Sequence, residues 1–216
     1  MSTPTTLRIS EIFHSLQGES TRVGLPTVFI RLTGCPLRCG YCDTDYAFSG
    51  GESMGIEAIL ERAAQYDTRY VCVTGGEPLA QKHCLQLLTA LCDKGYLVSL
   101  ETSGALDISQ VDSRVSRIVD IKTPGSGEVE RNLWLNIEQL TPHDEVKFVI
   151  VDEADYQWSV QVLRERQLAE RCQVVFSPAF GRLAPRQLAE WVLRDRLPVR
   201  MQVQLRKILL GEEQGR

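Results

Sequence analysis

Short apolar runs alternate along the chain with stretches in which apolar residues recur every three or four positions. The runs at 28–32, 70–74, 97–101, 117–121, 146–151 and 174–177 predict β-strands. Several are apolar almost throughout, as strands buried on both faces of a parallel sheet are. Between them, Ile56, Ile59, Leu60 and Ala63 make one helical stripe, and Leu85, Leu88, Leu91 and Cys92 make a second that Gly95 is suited to end. Residues 155–168 and 185–194 predict two further helices, with Pro185 fitting a first turn. Repeated strand–helix units point to an α/β fold with right-handed crossovers. A closed eight-stranded barrel takes about 250 residues, whereas this chain has 216. The expected architecture is therefore a partial, open β/α barrel with about six mostly parallel strands; a doubly wound sheet is the competing one. No repeat, low-complexity tract or linker divides residues 1–216, so a single domain is expected.

Composition narrows the function classes. At 43% hydrophobic and 24% charged residues the chain resembles ordinary globular proteins. Its 24 Lys and Arg against 28 Asp and Glu leave a net charge of -4 without a basic stripe, so no nucleic-acid partner is expected. One or two buried cations would still suffice for a small anionic substrate. Residues 1–8 hold no apolar leader and no run approaches the roughly 18 apolar residues of a membrane span, so a cytoplasmic protein without membrane attachment is expected. Seven cysteines, an odd number, agree with a reducing compartment.

Polar segments follow the strands at recurring places: 33–44, 75–78, 102–104, Lys122 and Pro178. In parallel α/β folds the C-terminal strand ends share one crevice, so these segments are expected to line one site. The first carries Cys35-Pro36-Leu37-Arg38-Cys39-Gly40-Tyr41-Cys42, a C-x3-C-x2-C spacing. A [4Fe–4S] cluster normally takes four cysteines, and three leave one iron open for a further ligand. The alternative is a structural zinc site that borrows Cys72 or His83, although zinc sites usually come as two separated ligand pairs. Cys72, Cys84, Cys92 and Cys172 sit in apolar surroundings and read as core residues. His14, His83 and His143 show no paired spacing, and no side chain is singled out as a general acid or base.

With Gly75-Gly76-Glu77-Pro78 after the next strand, the cysteine motif resembles the radical S-adenosylmethionine superfamily. Leu16-Gln17-Gly18-Glu19, Arg31, Cys42-Asp43-Thr44 and Glu101-Thr102-Ser103-Gly104 make the chain similar, over residues 11–210, to the 7-carboxy-7-deazaguanine synthase family. That resemblance implies reductive cleavage of S-adenosylmethionine on a [4Fe–4S] cluster held by Cys35, Cys39 and Cys42. The 5'-deoxyadenosyl radical takes hydrogen from 6-carboxy-5,6,7,8-tetrahydropterin, whose ring contracts with loss of ammonia in queuosine (deazapurine) biosynthesis. It further implies Mg2+ on Thr44, and a pterin site of Leu16, Gln17, Gly18, Glu19, Arg31 and Thr74. It places S-adenosylmethionine at Tyr41, Asp43, Gly75, Gly76, Glu77, Glu101, Ser103, Asp120, Lys122 and Ser177. A homodimer and a flavodoxin- or ferredoxin-type electron donor are implied as partners.

The residue types suit those roles. Gln17 and Glu19 can match the planar donor–acceptor edge of a pterin, and Arg31 offers a fork to a carboxylate. Glycines let a backbone approach a ligand, and Glu77 or the carbonyls beside it can accept from an ammonium. Magnesium prefers oxygen and often few protein ligands, so a lone Thr44 hydroxyl fits an ion that arrives with its substrate. Each residue also has a plainer reading: Gln17-Gly18-Glu19 as a turn, Arg31 in an ion pair with a neighbouring strand, Thr44 as a loop threonine, Ser103 as a cap, Lys122 as a surface lysine. The chain departs from relatives at Asp120-Ile121-Lys122, where Ser-Pro-Lys occurs, at Ser177-Pro178, where Gln-Pro is common, and at Arg206, where many have histidine. A substrate contact made there by histidine falls to Arg206 or is lost.

Overall fold

In the computed structural model, which describes residues 5–211, the strands form one nine-stranded sheet. They are β1 (Thr6–Leu16), β2 (Pro26–Leu32), β3 (Glu52–Gly55), β4 (Tyr70–Gly75), β5 (Leu97–Thr102), β6 (Ser116–Asp120), β7 (Glu145–Ile150), β8 (Gln173–Pro178) and β9 (Arg200–Met201), in the order β3-β1-β2-β4-β5-β6-β7-β8-β9. From β2 through β4 to β9 every neighbouring pair is parallel. β1 runs antiparallel to both β2 and β3. The helices are α1 (Ile56–Ala63), α2 (Cys84–Asp93), α3 (Glu153–Glu165), α4 (Leu168–Arg171), α5 (Pro185–Asp195) and α6 (Leu205–Leu210).

All six strands expected from the apolar runs are present, within two residues at each end, and β1, β3 and β9 are additional. β1 escaped the pattern because its pairing with β2 shifts register between Ile9 and Glu11. Such a bulge changes which parity faces the core: Leu7 and Ile9 are buried before it, Ile12 after it. The helix expected at 155–168 starts earlier, at Glu153, because Asp152 caps it by accepting from the Asp155 N–H at 2.9 Å. It ends at Glu165, and Gln167, with a φ of 51°, separates α3 from α4.

Period-two alternation sorts each parallel strand into two buried faces. Val28, Ile30 and Leu32, Val71 and Val73, Val98 and Leu100, Val146, Phe148 and Ile150, and Val174 and Phe176 join the helix residues Leu87, Leu88, Tyr156, Leu188 and Trp191 in one apolar core. The opposite face carries Phe29 and Arg31 on β2, Thr74 on β4, Glu101 on β5, Asp120 on β6, Lys147 on β7 and Ser177 on β8, all lining one cavity.

The sheet must curl, because the loop between β1 and β2 reaches strands far from its own. Arg22 Nη1 donates to the Leu97 carbonyl at 2.9 Å, and the Thr21 N–H and hydroxyl donate to Glu145 at 2.9 and 2.6 Å. Ser20 and Gln202 bond reciprocally at 2.8 Å in each direction. This loop bridges the mouth of the unclosed barrel, joining β2 to the segment after β9 without a strand between them.

A buried ion pair anchors the start of β7. Asp144, 1% exposed, accepts from Arg117 through its backbone N–H, Nε and Nη2 at 2.9, 2.9 and 2.6 Å, and from the Thr141 N–H and hydroxyl at 2.8 Å each. Burial alone would push this carboxyl up, but Arg117 and Thr141 outweigh it and hold it below the usual range. A carboxyl depressed in the folded state stabilises fully above its unfolded pKa near 4, and that contribution fades as pH falls through the folded value. Asp144→Ala should cost about 3 kcal/mol in urea unfolding at pH 7, with the gap to wild type shrinking below about pH 4. A gap under about 1 kcal/mol, or one unchanged into acid, would contradict the assignment.

Candidate active site

The concave face holds a cavity of about 510 Å³, within the range of small-molecule sites. The C-terminal strand ends supply the cysteine loop from one side, while residues 16–20 enter from the β1–β2 loop. Cys35, Cys39 and Cys42 all line it, as free thiols that are half-buried, half-buried and exposed respectively. Burial pushes all three thiols up, and Lys122 is a cation that pulls each of them back toward thiolate.

The loop is held at several points. The Gly34 N–H donates to the Ala47 carbonyl at 2.8 Å and the Gly40 N–H to the Ser126 carbonyl at 2.9 Å. Arg38 folds back on the Cys35 and Leu37 carbonyls at 2.8 and 2.6 Å, while its N–H donates to Glu128. Arg182 donates to the Gly40 carbonyl. The turn that holds Gly40 is itself fixed by the buried Asp155 carboxylate, which accepts from the Thr123 hydroxyl at 2.8 Å and the Gly125 N–H at 2.7 Å.

The donor set suits an iron–sulfur cluster better than zinc. Among the described residues no three His, Cys, Asp or Glu side chains converge as a single ion requires, whereas a cubane receives each thiolate on a different iron. The side chains that a zinc site would borrow lie elsewhere: Cys72 is fully buried against Phe13 and Phe29, and His83 engages Gln86 at 2.9 Å.

The predicted residues come together with one exception. Leu16, Gln17, Gly18, Glu19, Arg31, Tyr41, Asp43, Thr44, Thr74, Gly75, Gly76, Glu101, Ser103, Asp120, Lys122 and Ser177 line the cavity with the cysteines. Glu101 accepts from Gln17 Nε2 at 3.3 Å and from the Thr74 hydroxyl at 2.7 Å. Lys122 is not a surface lysine: it is buried and pairs with Asp120 at 2.9 Å, leaving the other Asp120 oxygen buried without a partner among the described residues. Arg31 does form the expected cross-strand ion pair, its Nε meeting Glu11 of β1 at 2.7 Å while Tyr46 donates to the same oxygen at 2.8 Å. Burial opposes its charge, but Tyr46, Glu11 and Glu101 outweigh that and raise its pKa. The pair and the cavity are compatible roles, because only one edge of the guanidinium is used by Glu11.

Asp43 faces the C-terminal segment. It pairs with Lys207 at 2.9 Å and accepts from Gln204 at 3.2 Å and from Thr44 at 3.0 Å. Burial would raise it, but the Lys207 ammonium prevails and holds the carboxyl down at about 2. Arg206 also lines the cavity, and Gly18 packs so closely that a Cβ there would lie 3.2 Å from Arg206 Cβ. Lys147 and Glu145 were not anticipated. A lysine inside the apolar run 146–151 is the same signal as Arg31 inside 28–32, and could have been read.

Glu77 is the exception: its side chain lies off the cavity wall, and of the two acceptors expected there, its carboxylate and the neighbouring carbonyls, the carboxylate is already occupied. It is fully buried outside the cavity lining and accepts from the Leu79 N–H at 3.0 Å, the Thr102 hydroxyl at 2.9 Å and the Ser103 N–H and hydroxyl at 2.6 and 2.5 Å. A carboxylate with four donors is committed to holding β4 against the end of β5. The glycines before it have a packing reason as well: a Cβ on Gly75 would strike the Leu32 carbonyl, and one on Gly76 the Gly34 carbonyl and Cys35. Glu77→Ala should therefore lower unfolding stability by about 3 kcal/mol or more, and Glu77→Gln by less, since the amide still accepts. A wild-type urea midpoint for the alanine variant would show that the carboxylate does not hold these strands.

Known proteins resemble this arrangement at two levels. The profile of the Radical SAM superfamily matches residues 29–167. A 7-carboxy-7-deazaguanine synthase of Chlorobaculum tepidum is 48% identical over 97% of this chain and 96% of its own length. Another, of Koribacter versatilis, is 41% identical over 96% and 98%. Among solved structures, QueE from Escherichia coli superposes with a TM-score of 0.76 at 23% identity, over 93% of this chain and 94% of that one. Streptococcus suis SuiB bound to S-adenosylmethionine gives 0.58 at 12% identity over 82% and 50%, a likeness of fold. With its cysteine loop and cavity residues on such a sheet, the chain belongs to the radical SAM superfamily and, within it, to the 7-carboxy-7-deazaguanine synthase family.

Proposed function

We propose that the chain is a carbon–nitrogen lyase that converts 6-carboxy-5,6,7,8-tetrahydropterin to 7-carboxy-7-deazaguanine and ammonia, acting as one radical SAM domain of the cytoplasm. The observation that carries this reading is the layout of the cavity. The cysteine loop meets it at the C-terminal strand ends, and Gln17, Glu19, Arg31, Thr74 and Glu101 offer polar groups to a flat, anionic ligand in the same space. When bound by Cys35, Cys39 and Cys42, a [4Fe–4S] cluster with S-adenosylmethionine supplies a hydrogen-abstracting 5'-deoxyadenosyl radical.

The protein's own groups do the rest. Gly75 and Gly76 bring backbone against the cysteine loop, so their polar groups can meet the amino-acid end of S-adenosylmethionine. Tyr41, Asp43, Ser103, Asp120, Lys122 and Ser177 line the same space. Arg31 orients a substrate carboxylate with the guanidinium edge that Glu11 leaves free. Gln17 and Glu19 meet the pterin's donors and acceptors, and Thr74 and Glu101 complete that polar wall.

Mg2+ is proposed at Thr44. Its hydroxyl donates to Asp43 and retains lone pairs for a hard cation, but supplies too few ligands alone, so the ion binds together with the substrate carboxylate. The enzyme is proposed to act as a homodimer, and a flavodoxin- or ferredoxin-type protein to provide the electron.

Anaerobic, cluster-reconstituted protein given reductant, S-adenosylmethionine, Mg2+ and the carboxytetrahydropterin should release a product lighter by one ammonia, seen by mass spectrometry. Cys39→Ala should abolish it. Intact pterin beside accumulating 5'-deoxyadenosine would remove the substrate assignment and leave the superfamily chemistry. For Thr44→Ala, the Mg2+ concentration at half-maximal rate should rise about tenfold. An unchanged requirement would place the ion elsewhere.

A further inference from the structure

The β1–β2 loop carries Glu19 into a cavity whose wall already holds Asp43, Glu101, Asp120 and Glu145. A fifth carboxylate in such a place is unfavourable unless something offsets it. Lys147 does so. Its Nζ lies 2.6 Å from Glu19 Oε2, with side-chain exposures of only 15% and 17% for the two groups. The Ser177 hydroxyl donates to the other carboxylate oxygen at 3.3 Å, and the Glu19 N–H donates to Gln17 Oε1 at 3.3 Å. Both oxygens of Glu19 are thus oriented from the opposite wall of the barrel.

The geometry has a second strand to it. Two residues before Lys147 on the same face, Glu145 takes the Thr21 N–H and hydroxyl. Successive inward positions of β7 therefore grip alternate residues of the loop, Glu145 holding Thr21 and Lys147 holding Glu19. Asp120 lies opposite Lys147 in the β6–β7 register and adds negative charge near the ammonium, while its own ion pair is with Lys122; the direct partner of Lys147 is Glu19. An ammonium so placed is not free to serve as a substrate anion site.

We propose that Lys147 is a positioning residue for Glu19, supplying the countercharge and the orientation with which that carboxylate receives the donor edge of the heterocyclic substrate. The inference rests on Glu19 being a substrate contact.

Steady-state kinetics on the reconstituted enzyme test this, with iron content and urea unfolding measured alongside. Lys147→Met should raise KM for the carboxytetrahydropterin about tenfold or more while KM for S-adenosylmethionine stays within about twofold. Lys147→Arg should recover most of the loss, because a guanidinium can still pair with the carboxylate. Glu19→Gln should raise the same KM, and the double variant should be no worse than the worse single one, since both remove one shared interaction. If Lys147→Met does not fold, Lys147→Gln takes its place. A Glu19→Gln effect with no Lys147 effect would overturn the positioning role alone. An unchanged pterin KM in Glu19→Gln would instead remove the underlying contact. Equal rises in both KM values, or no recovery with arginine, would reduce Lys147 to a structural residue.

Discussion

A sheet that curls around a polar cavity has to carry charge on a face that water reaches poorly, and each buried charge needs a partner within the protein. The concave wall meets this demand pair by pair: Arg31 with Glu11, Lys122 with Asp120, Lys147 with Glu19, and Glu101 with the donors of Gln17 and Thr74. Most of these pairs join different elements. Satisfying the charges therefore also shapes the barrel, because Lys147–Glu19 and Thr21–Glu145 tie the β1–β2 loop to strands on the far side of the sheet. The convex face has no such burden and is packed with Val, Ile, Leu and aromatic residues under the helices.

This division explains which features are legible in the sequence alone. Apolar runs located the parallel strands, since the outward half of each is aliphatic and the inward half is often apolar too. The exceptions inside those runs were informative in proportion to their burial cost. Arg31 stands out on that ground, and Lys147 obeys the same logic. What stayed hidden depended on geometry that periodicity does not carry. The register shift in β1 moved Ile12 to the parity opposite Ile9, and β9 contributes only two residues to the sheet. The direction of the Glu77 side chain is hidden for a related reason. Its neighbours Gly75 and Gly76 do reach the cavity, but one further step along the backbone turns the carboxylate toward Thr102 and Ser103.

The cysteine loop shows how rigidity is achieved without regular structure. Its backbone is pinned by Ala47, Ser126, Glu128 and Arg182. The Ser126 turn hangs in turn on Asp155, whose carboxylate gathers donors from Thr123, Gly125 and Val151. A side chain in the first turn of α3 thereby fixes a loop more than a hundred residues earlier in the chain. Such a path is costly to alter piecemeal, as a Cβ on Gly125 would collide with Val151 and with Asp155 itself.

Soft and hard chemistry meet within three residues. Cys42 offers sulfur, which suits iron, and Thr44 offers oxygen, which suits magnesium. Asp43 between them is the one carboxylate in this stretch with the charge to capture a stray cation. The structure commits it instead to Lys207 and Gln204, and the Lys207 ammonium keeps its pKa low. Two consequences follow from that single pairing. The C-terminal segment is drawn over the cavity beside the cysteine loop, and the strongest local competitor for a hard ion is already neutralised. At the proposed Thr44 site a magnesium ion would find too few protein oxygens to bind without its substrate, so metal and substrate occupancy would be coupled by the ligand count alone.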